Sequence, residues 1–556
     1  AGSRARAGAW SQDSRVLGSP DRGEMAQRRL SWIGVVLFVV FRLVWTSLVV
    51  LAPTLGVWVA SSLAAYRNGP VWLACAAGLL LFPVLPVLWD MSSEWLRRRR
   101  SGRRKRPDTR VLTGWDRIVL RTLVINLLFV GGLLWARPEA AFTALSTRGD
   151  WFIEHTHHPL AERVRPWLFR AADGLQWLYE AAHDNPYAEM VEGGTGPAPT
   201  PAPTPSAWDD PWKQGGGAAV PKDSGAKDGG ADGKTEPVPG DSKAEAVPGD
   251  SEAEAVPEDS PAPAAAATVW PSAAVVHPAV LAMPAEAKAS VAAVGRYLKE
   301  NESDPGRRVK AIHDFAATHL AYDSVALAEG RYPDQSAEAV LKAGLAVCAG
   351  YANLTKAVAD ATGDEVVVVV GDSRGRADEV DGEPHAWNAA KIDGLWYLLD
   401  ATWDSGHVKD GKFVREYGTS YLFVPPQLIG ITHFPDEPAW QLRDAPLSRG
   451  EFARQPMMRP EFFAEGLTLE EPQRSQVTVQ RDALIRLGNP RRRWVLARAI
   501  AAGAEDGAPC AVTGREQVEI LCSGLAPGTY NVRMCTSPTE YGTFGCVGEI
   551  QVNVSG

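Results

Sequence analysis

The chain has 556 residues, 45% hydrophobic and 22% charged, a composition of packed globular domains at a length too great for one of them. Its formal net charge of -9 is unevenly spread, because residues 1–150 hold 21 Lys/Arg against 9 Asp/Glu and the remainder stands near -21. Basic residues confined to one end and interleaved with apolar runs argue against a nucleic-acid binder, and point to a membrane at that end with an acidic soluble body beyond it.

Residues 1–29 form a basic leader, and three apolar stretches follow within 30–137, at 43–65, 71–88 and 118–136. Each is long enough to cross a hydrocarbon core of about 30 Å. Arg42 at mid-bilayer would cost about 2.5–3.5 kcal/mol, so the first span is expected to begin after it. Arg28 and Arg29 precede the first span, only Arg67 lies between the first two, and RRRRSGRRKR at 97–106 sits in the 94–117 connection. By the positive-inside rule this predicts a multi-pass cell-membrane protein with a cytoplasmic N-terminus and everything after the third span outside. The basic run is read as a topology determinant, with no nucleic-acid partner. Because more spans follow, the first reads as a signal-anchor.

Residues 138–192 have helical spacing rich in Trp, Leu and His, and predict a helical region beside the membrane. His155, His157 and His158 cluster there without a carboxylate at ligand spacing, which reads as a solvated helix end and not a metal site. From 193 to 267 the composition falls to Pro, Ala, Gly, Asp, Ser and Lys, with PAPTPAPTP and the repeat VPGDSKAEA, VPGDSEAEA. Such a stretch cannot bury enough apolar surface to order itself, and as a tether of about 75 residues it would span on the order of 50 Å.

Helical periodicity resumes at 285–299, 306–319, 336–343 and 349–362. Five valines at 366–370 predict a buried strand, and strands at 385–392 and 395–403 are joined by Asp393 and Gly394, a strong hairpin signal. A two-residue turn there sets Ile392 against Leu395, Trp387 against Asp400 and His385 against Thr402. His385 and Asp400 become diagonal neighbours on one face, roughly 7–8 Å apart at the backbone. An imidazole bridges that gap, and the carboxylate would fix its tautomer. Cys348 heads the next helix upstream, where the helix dipole and unpaired amides favour a thiolate. Beside an imidazole it would be the nucleophile of acyl transfer.

The strings QSAEAVLKAGLAVCAGYANLTKAVADATG and EPHAWNAAKIDGLWYLLDATWDSG closely resemble the core motif of the transglutaminase-like superfamily, and YLFVPPQLIGITHFPDEPAWQL looks like its branch of kyphoscoliosis-type peptidases. The resemblance covers about 285–465. It implies an α+β papain-like catalytic core over 268–465, with Cys348 as nucleophile, His385 as general base and Asp400 as orienting residue, without cofactor or metal. The oxyanion would then be held by the Cys348 amide and one side-chain donor, Gln335 or Tyr322. Trp387, Trp396 and Trp403 are expected to shield the site, with Lys391 over Trp396. His433 is assigned a structural or a substrate role, and His313 and His319 packing or surface roles.

Alternating strands at 476–479, 494–499, 517–522, 529–534 and 549–554 make 466–556 an antiparallel β-sandwich, and LAPGTYNVRM looks like the turn into a late strand of an immunoglobulin-like domain. Of six cysteines, Cys75 falls in the second span and Cys510, Cys522, Cys535 and Cys546 crowd the end. That even cluster implies two disulfides in an oxidising compartment, with three pairings open. The chain is thus expected to be multidomain: transmembrane helices, a transglutaminase-like core and an all-β sandwich. Its expected activity is that of an extracytoplasmic thiol peptidase or amidase acting on protein or envelope peptide. The alternatives are a transamidase joining Gln to amines, or a non-catalytic adhesive or binding protein. The oligomeric state is left open.

Overall fold

The computed structural model describes residues 22–67, 69–100, 113–154, 156, 158–192 and 268–555. The expected 193–267 tether, the run 101–106, His155 and His157 lie outside the described residues. The chain divides into two compact units, residues 1–61 with 75–136, and 62–74 with 137–556.

Three helices, Gly34–Tyr66, Val71–Arg99 and Gly114–Ala136, are long and apolar enough to cross a membrane. The helix that holds the first runs from Arg22 to Tyr66 without a break at Arg42. Arginine is a good helix former and imposes no stop on the backbone. The 94–117 connection is likewise partly helical, reaching Arg100, with the Arg99 guanidinium 3.8 Å above the Trp95 ring.

In the second unit, helices Pro138–Arg148 and Pro159–Asp173 precede a single 3-10 turn, Pro186–Glu189. The helices are fastened to later parts of the chain, Arg148 donating to Thr478 Oγ1 at 2.6 Å and Arg454 pairing with Asp173 at 3.0 Å. His158 caps the second helix, its Nδ1 accepting Leu160 N–H.

The central sheet holds β1 (Glu365–Ser373), β2 (Glu383–Ile392), β3 (Leu395–Leu399), β4 (Leu422–Val424) and β5 (His433–Pro435), in the order β4-β3-β2-β1-β5. Alternation along β1 splits its valines between the two faces of the sheet. Val368 and Val370 pack with Cys348, Ala349 and Ala352 of the Cys348–Thr362 helix, while Val369 packs with Trp387 on the other face. Helix Cys348–Thr362 stops because Gly363 takes the left-handed conformation at φ 83° and donates back to Ala359 O.

Asp393 and Gly394 both have positive φ, 51° and 82°, as a two-residue hairpin turn requires. Pairing runs from Ile392 with Leu395 to Asn388 with Leu399, the expected register. It then ends, so Trp387 does not pair with Asp400, nor His385 with Thr402. The Asp400 carboxylate accepts Thr402 N–H at 2.8 Å and Trp403 N–H at 3.3 Å, which folds the chain into a turn, while Asp400 N–H is taken by Tyr421 O at 3.0 Å.

The C-terminal region is all-β. One sheet runs β6 (Met457–Met458), β15 (Gly545–Val554), β14 (Gly528–Ser537), β10 (Trp494–Ala501), β11 (Ala508–Pro509), with β8 (Gln476–Val479) parallel to β15. The other runs β7 (Thr468–Glu471), β9 (Ala483–Gly488), β13 (Gln517–Cys522), β12 (Ala511–Thr513). A single apolar cluster joins Trp387 and Trp440 beside the central sheet to Ile485, Val532 and Ile550 of these strands. The disulfides are Cys510–Cys522 and Cys535–Cys546.

Candidate active site

Cys348 is the first residue of its helix and only 1% exposed. The chain enters through a short parallel pair, Ala321–Tyr322 with Leu345–Ala346. Buried Gln335 then accepts Val347 N–H on Oε1 at 3.0 Å and donates from Nε2 to Pro333 O at 3.0 Å. Gln335 therefore positions the peptide before Cys348, with the second N–H of its amide free of a partner among the described residues. Gly350 makes this fit possible, since a Cβ there would stand 2.6 Å from Gln335 Oε1. Tyr322 packs beside Cys348, where burial and the neighbouring sulfur push its hydroxyl up, so it remains a protonated donor. The Cys348 amide, at the first helical position, lies among those with no intrahelical acceptor.

His385 sits on β2 opposite Gly371 of β1. Its Nε2 is 2.7 Å from Asp400 Oδ2, and Cys348 packs in one cluster with Ala386, the next residue on the strand. Burial alone would keep this ring neutral. The Asp400 carboxylate and the Cys348 sulfur outweigh it and push the pKa up to about 10.

Asp400 Oδ2 has a second partner that the sequence did not reveal, His433 Nε2 at 3.1 Å. Burial pushes His433 down to about 4 against the pull of Asp400, so it is neutral at pH 7. A neutral ring that donates from Nε2 accepts at Nδ1, and Thr432 Oγ1 stands there at 2.8 Å. Burial would raise Asp400, but the two histidines hold it well below the usual carboxylate range. Trp387, Trp403 and His433 surround the His385 ring at 6.0, 5.8 and 5.3 Å between centroids. Lys391 lies 5.6 Å above Trp396, at the far end of the hairpin.

His385, Asp400 and His433 gather ligand atoms closely enough to hold a metal ion. Each ligand would have to stand about 2.0–2.2 Å from the ion, and both N–H···O bonds to Asp400 would be given up. In a second such group, His183, Asp372 and Asp436, the Arg449 guanidinium already bonds to Asp372 and supplies the cation.

A cysteine at a helix head thus lies near a histidine on the adjacent sheet, and that histidine is hydrogen-bonded to an aspartate just past a strand end. Residues 292–401 match the family model of the transglutaminase-like superfamily. Within that superfamily the chain is similar to kyphoscoliosis peptidase of Mus musculus, 33% identical over 191 residues, or 33% of this chain and 29% of that protein. It is 32% identical over the same length to kyphoscoliosis peptidase of Homo sapiens, with the same coverage. A Lim and transglutaminase domain protein of Caenorhabditis elegans is 30% identical over 95 residues, 15% of this chain and 13% of that one. The match thus spans 29% of the length of the kyphoscoliosis peptidases.

Proposed function

We propose that this protein is a membrane-anchored thiol hydrolase, a peptidase or amidase, with Cys348 as nucleophile, His385 as its acid and base and Asp400 as the residue that orients His385. One observation carries the reading: a buried imidazole held by a carboxylate at 2.7 Å, on a strand packed against the helix that a buried cysteine heads. The sulfur attacks an amide carbonyl, and the oxyanion is held by the Cys348 amide and Tyr322. The imidazolium gives its proton to the leaving amine as the C–N bond breaks, leaving a thioester. Water, deprotonated by the now neutral ring, adds to the thioester and releases acid and thiol. The three apolar helices anchor the chain, and the two disulfides fit a body facing an oxidising compartment. The C-terminal strands fit an immunoglobulin-like sandwich. Tyr530, near the start of β14, sends its hydroxyl back to Ala526 O at 3.1 Å, as the tyrosine corner of such domains does.

The test is incubation of the purified chain with candidate peptides and a primary amine, read by mass. Hydrolysis adds one water per cut, whereas transamidation joins the amine with loss of ammonia. Cys348→Ala is expected to lower turnover by on the order of 10⁴-fold or more. Undiminished cleavage by that variant would remove Cys348 from the chemistry.

A second expectation concerns pH. His385 must carry its proton to donate to the leaving group, and its pKa is raised to about 10, so the charged ring persists through neutrality and is lost as pH rises through that value. The alkaline limb of kcat/KM should fall near pH 10. A limb near pH 7 would show that Asp400 and Cys348 do not hold the proton there.

A further inference from the structure

An amide substrate must reach a sulfur that is 1% exposed. Among the residues packed around it are Tyr187 and Val191 of the chain's own segment 185–192. Tyr187 is 2% exposed and packs in one cluster with Val347, Cys348, Ala349 and Ala386, with Tyr322 and Tyr332 at its edge. Its ring lies 5.7 Å from that of Tyr332. Burial, with the Cys348 sulfur next in effect, raises its hydroxyl.

The segment is fastened at both ends. At one end Asn185 Nδ2 donates to Gly371 O at 2.7 Å, and Gly371 is the residue opposite His385. At the other, Asn353 of the Cys348 helix donates to Met190 O at 2.9 Å and accepts Glu192 N–H at 3.0 Å. Glu192 in turn takes Ala337 N–H on its carboxylate at 3.3 Å. Asn353 thus grips main chain with both halves of its amide, a mode of holding that an extended peptide of almost any sequence can satisfy. Selectivity in such a groove comes from side-chain pockets, and the pocket beside Cys348 holds an aromatic ring.

We propose that residues 185–192 occupy the substrate groove as a built-in competitor, and that the subsite filled by Tyr187 takes an aromatic side chain of a peptide substrate. This rests on the hydrolase reading above and adds substrate class and latency to it. The free chain is then closed, and turnover requires the segment to lift.

The experiment measures alkylation of Cys348 by iodoacetamide in the native full chain, read at that residue by peptide mass. Wild-type Cys348 should react at least tenfold more slowly than in the urea-unfolded chain. Tyr187→Gly should raise the native rate at least tenfold, and Tyr187→Phe should leave it slow. Added peptide NPYAEMVE should slow Tyr187→Gly again, and the same peptide with glycine for tyrosine should not; protection also shows that the variant site is folded. Native wild-type alkylation as fast as the unfolded chain's overturns the proposal without recourse to any variant. Equal protection by both peptides overturns the aromatic subsite. Faster alkylation of Tyr187→Gly with no cleavage of any peptide would remove the hydrolase reading and leave the groove occupant standing. Full peptide turnover by the wild type, unchanged in Tyr187→Gly, would do the reverse.

Discussion

Asp400→Asn is expected to lower turnover by on the order of 10³- to 10⁴-fold while leaving the fold in place. The substitution keeps the volume and one carbonyl oxygen, so the turn at Thr402 and Trp403 can still be capped. The other oxygen becomes an NH₂ aimed at His385 Nε2 and His433 Nε2, both of which donate to Asp400 now. Turning the amide over only moves the donor-against-donor clash to the two backbone amides. The ring then loses the charge that opposes its burial, so the His385 pKa falls from about 10 toward or below the ordinary value. Two readouts separate this from plain damage: kcat falls with little change in KM, and the alkaline limb moves to lower pH. A variant that keeps half its turnover, or keeps the limb near 10, would show that Asp400 does not orient the imidazole.

What the sequence could reveal followed the range of each interaction. Asp393 and Gly394 set a turn by local conformational preference, and the register up to Asn388 and Leu399 follows from it by counting. The register fails one residue later because β3 turns to β4, with a shift between Leu398 and Leu399, and because the Asp400 side chain captures its own downstream amides. Neither cause lies in the hairpin's alternation. Asp400 still meets His385, since the turn swings the carboxylate toward the ring that the strand would have placed diagonally across from it. The bond of His433 to Asp400 escaped notice because β5 joins the sheet beside β1, far from its neighbours in the chain. The only signal was its place in THFP. Gln335 was a reasonable oxyanion donor by residue type, and only the structure shows that it also ties down Val347 and Pro333 beside the site. Tyr187 gave no sign at all, since a tyrosine in a Pro-containing turn reads as surface, and what it packs against begins more than a hundred residues later.

His313→Leu is expected to destabilise the second unit by about 3–5 kcal/mol, a large share of the stability of a typical domain. The sequence placed His313 as a packing or surface residue. It is fully buried, with Nδ1 3.0 Å from Asp314 Oδ1 and Nε2 3.1 Å from Asp404 Oδ2. Only an imidazolium donates to two carboxylates at once, so the ring is charged. Burial alone would discharge it, but Asp314 and Asp404 win and push it up to about 9. Asp314 keeps Lys310 at 2.6 Å and Tyr417 at 2.7 Å after the substitution, so the greater loss falls on Asp404. Asp404 would retain only Tyr421 N–H on its carboxylate, in the segment whose Tyr421 carbonyl takes Asp400 N–H. The folded-state pKa lies above the ordinary 6.5, so the histidine's contribution is fully present below that value and disappears as pH rises through about 9. Urea unfolding of wild type and variant should therefore differ most at pH 6 and converge by pH 10. A gap of the same size at both would mean that the buried ring is neutral, and that the turn carrying Asp400 is held by packing and not by charge.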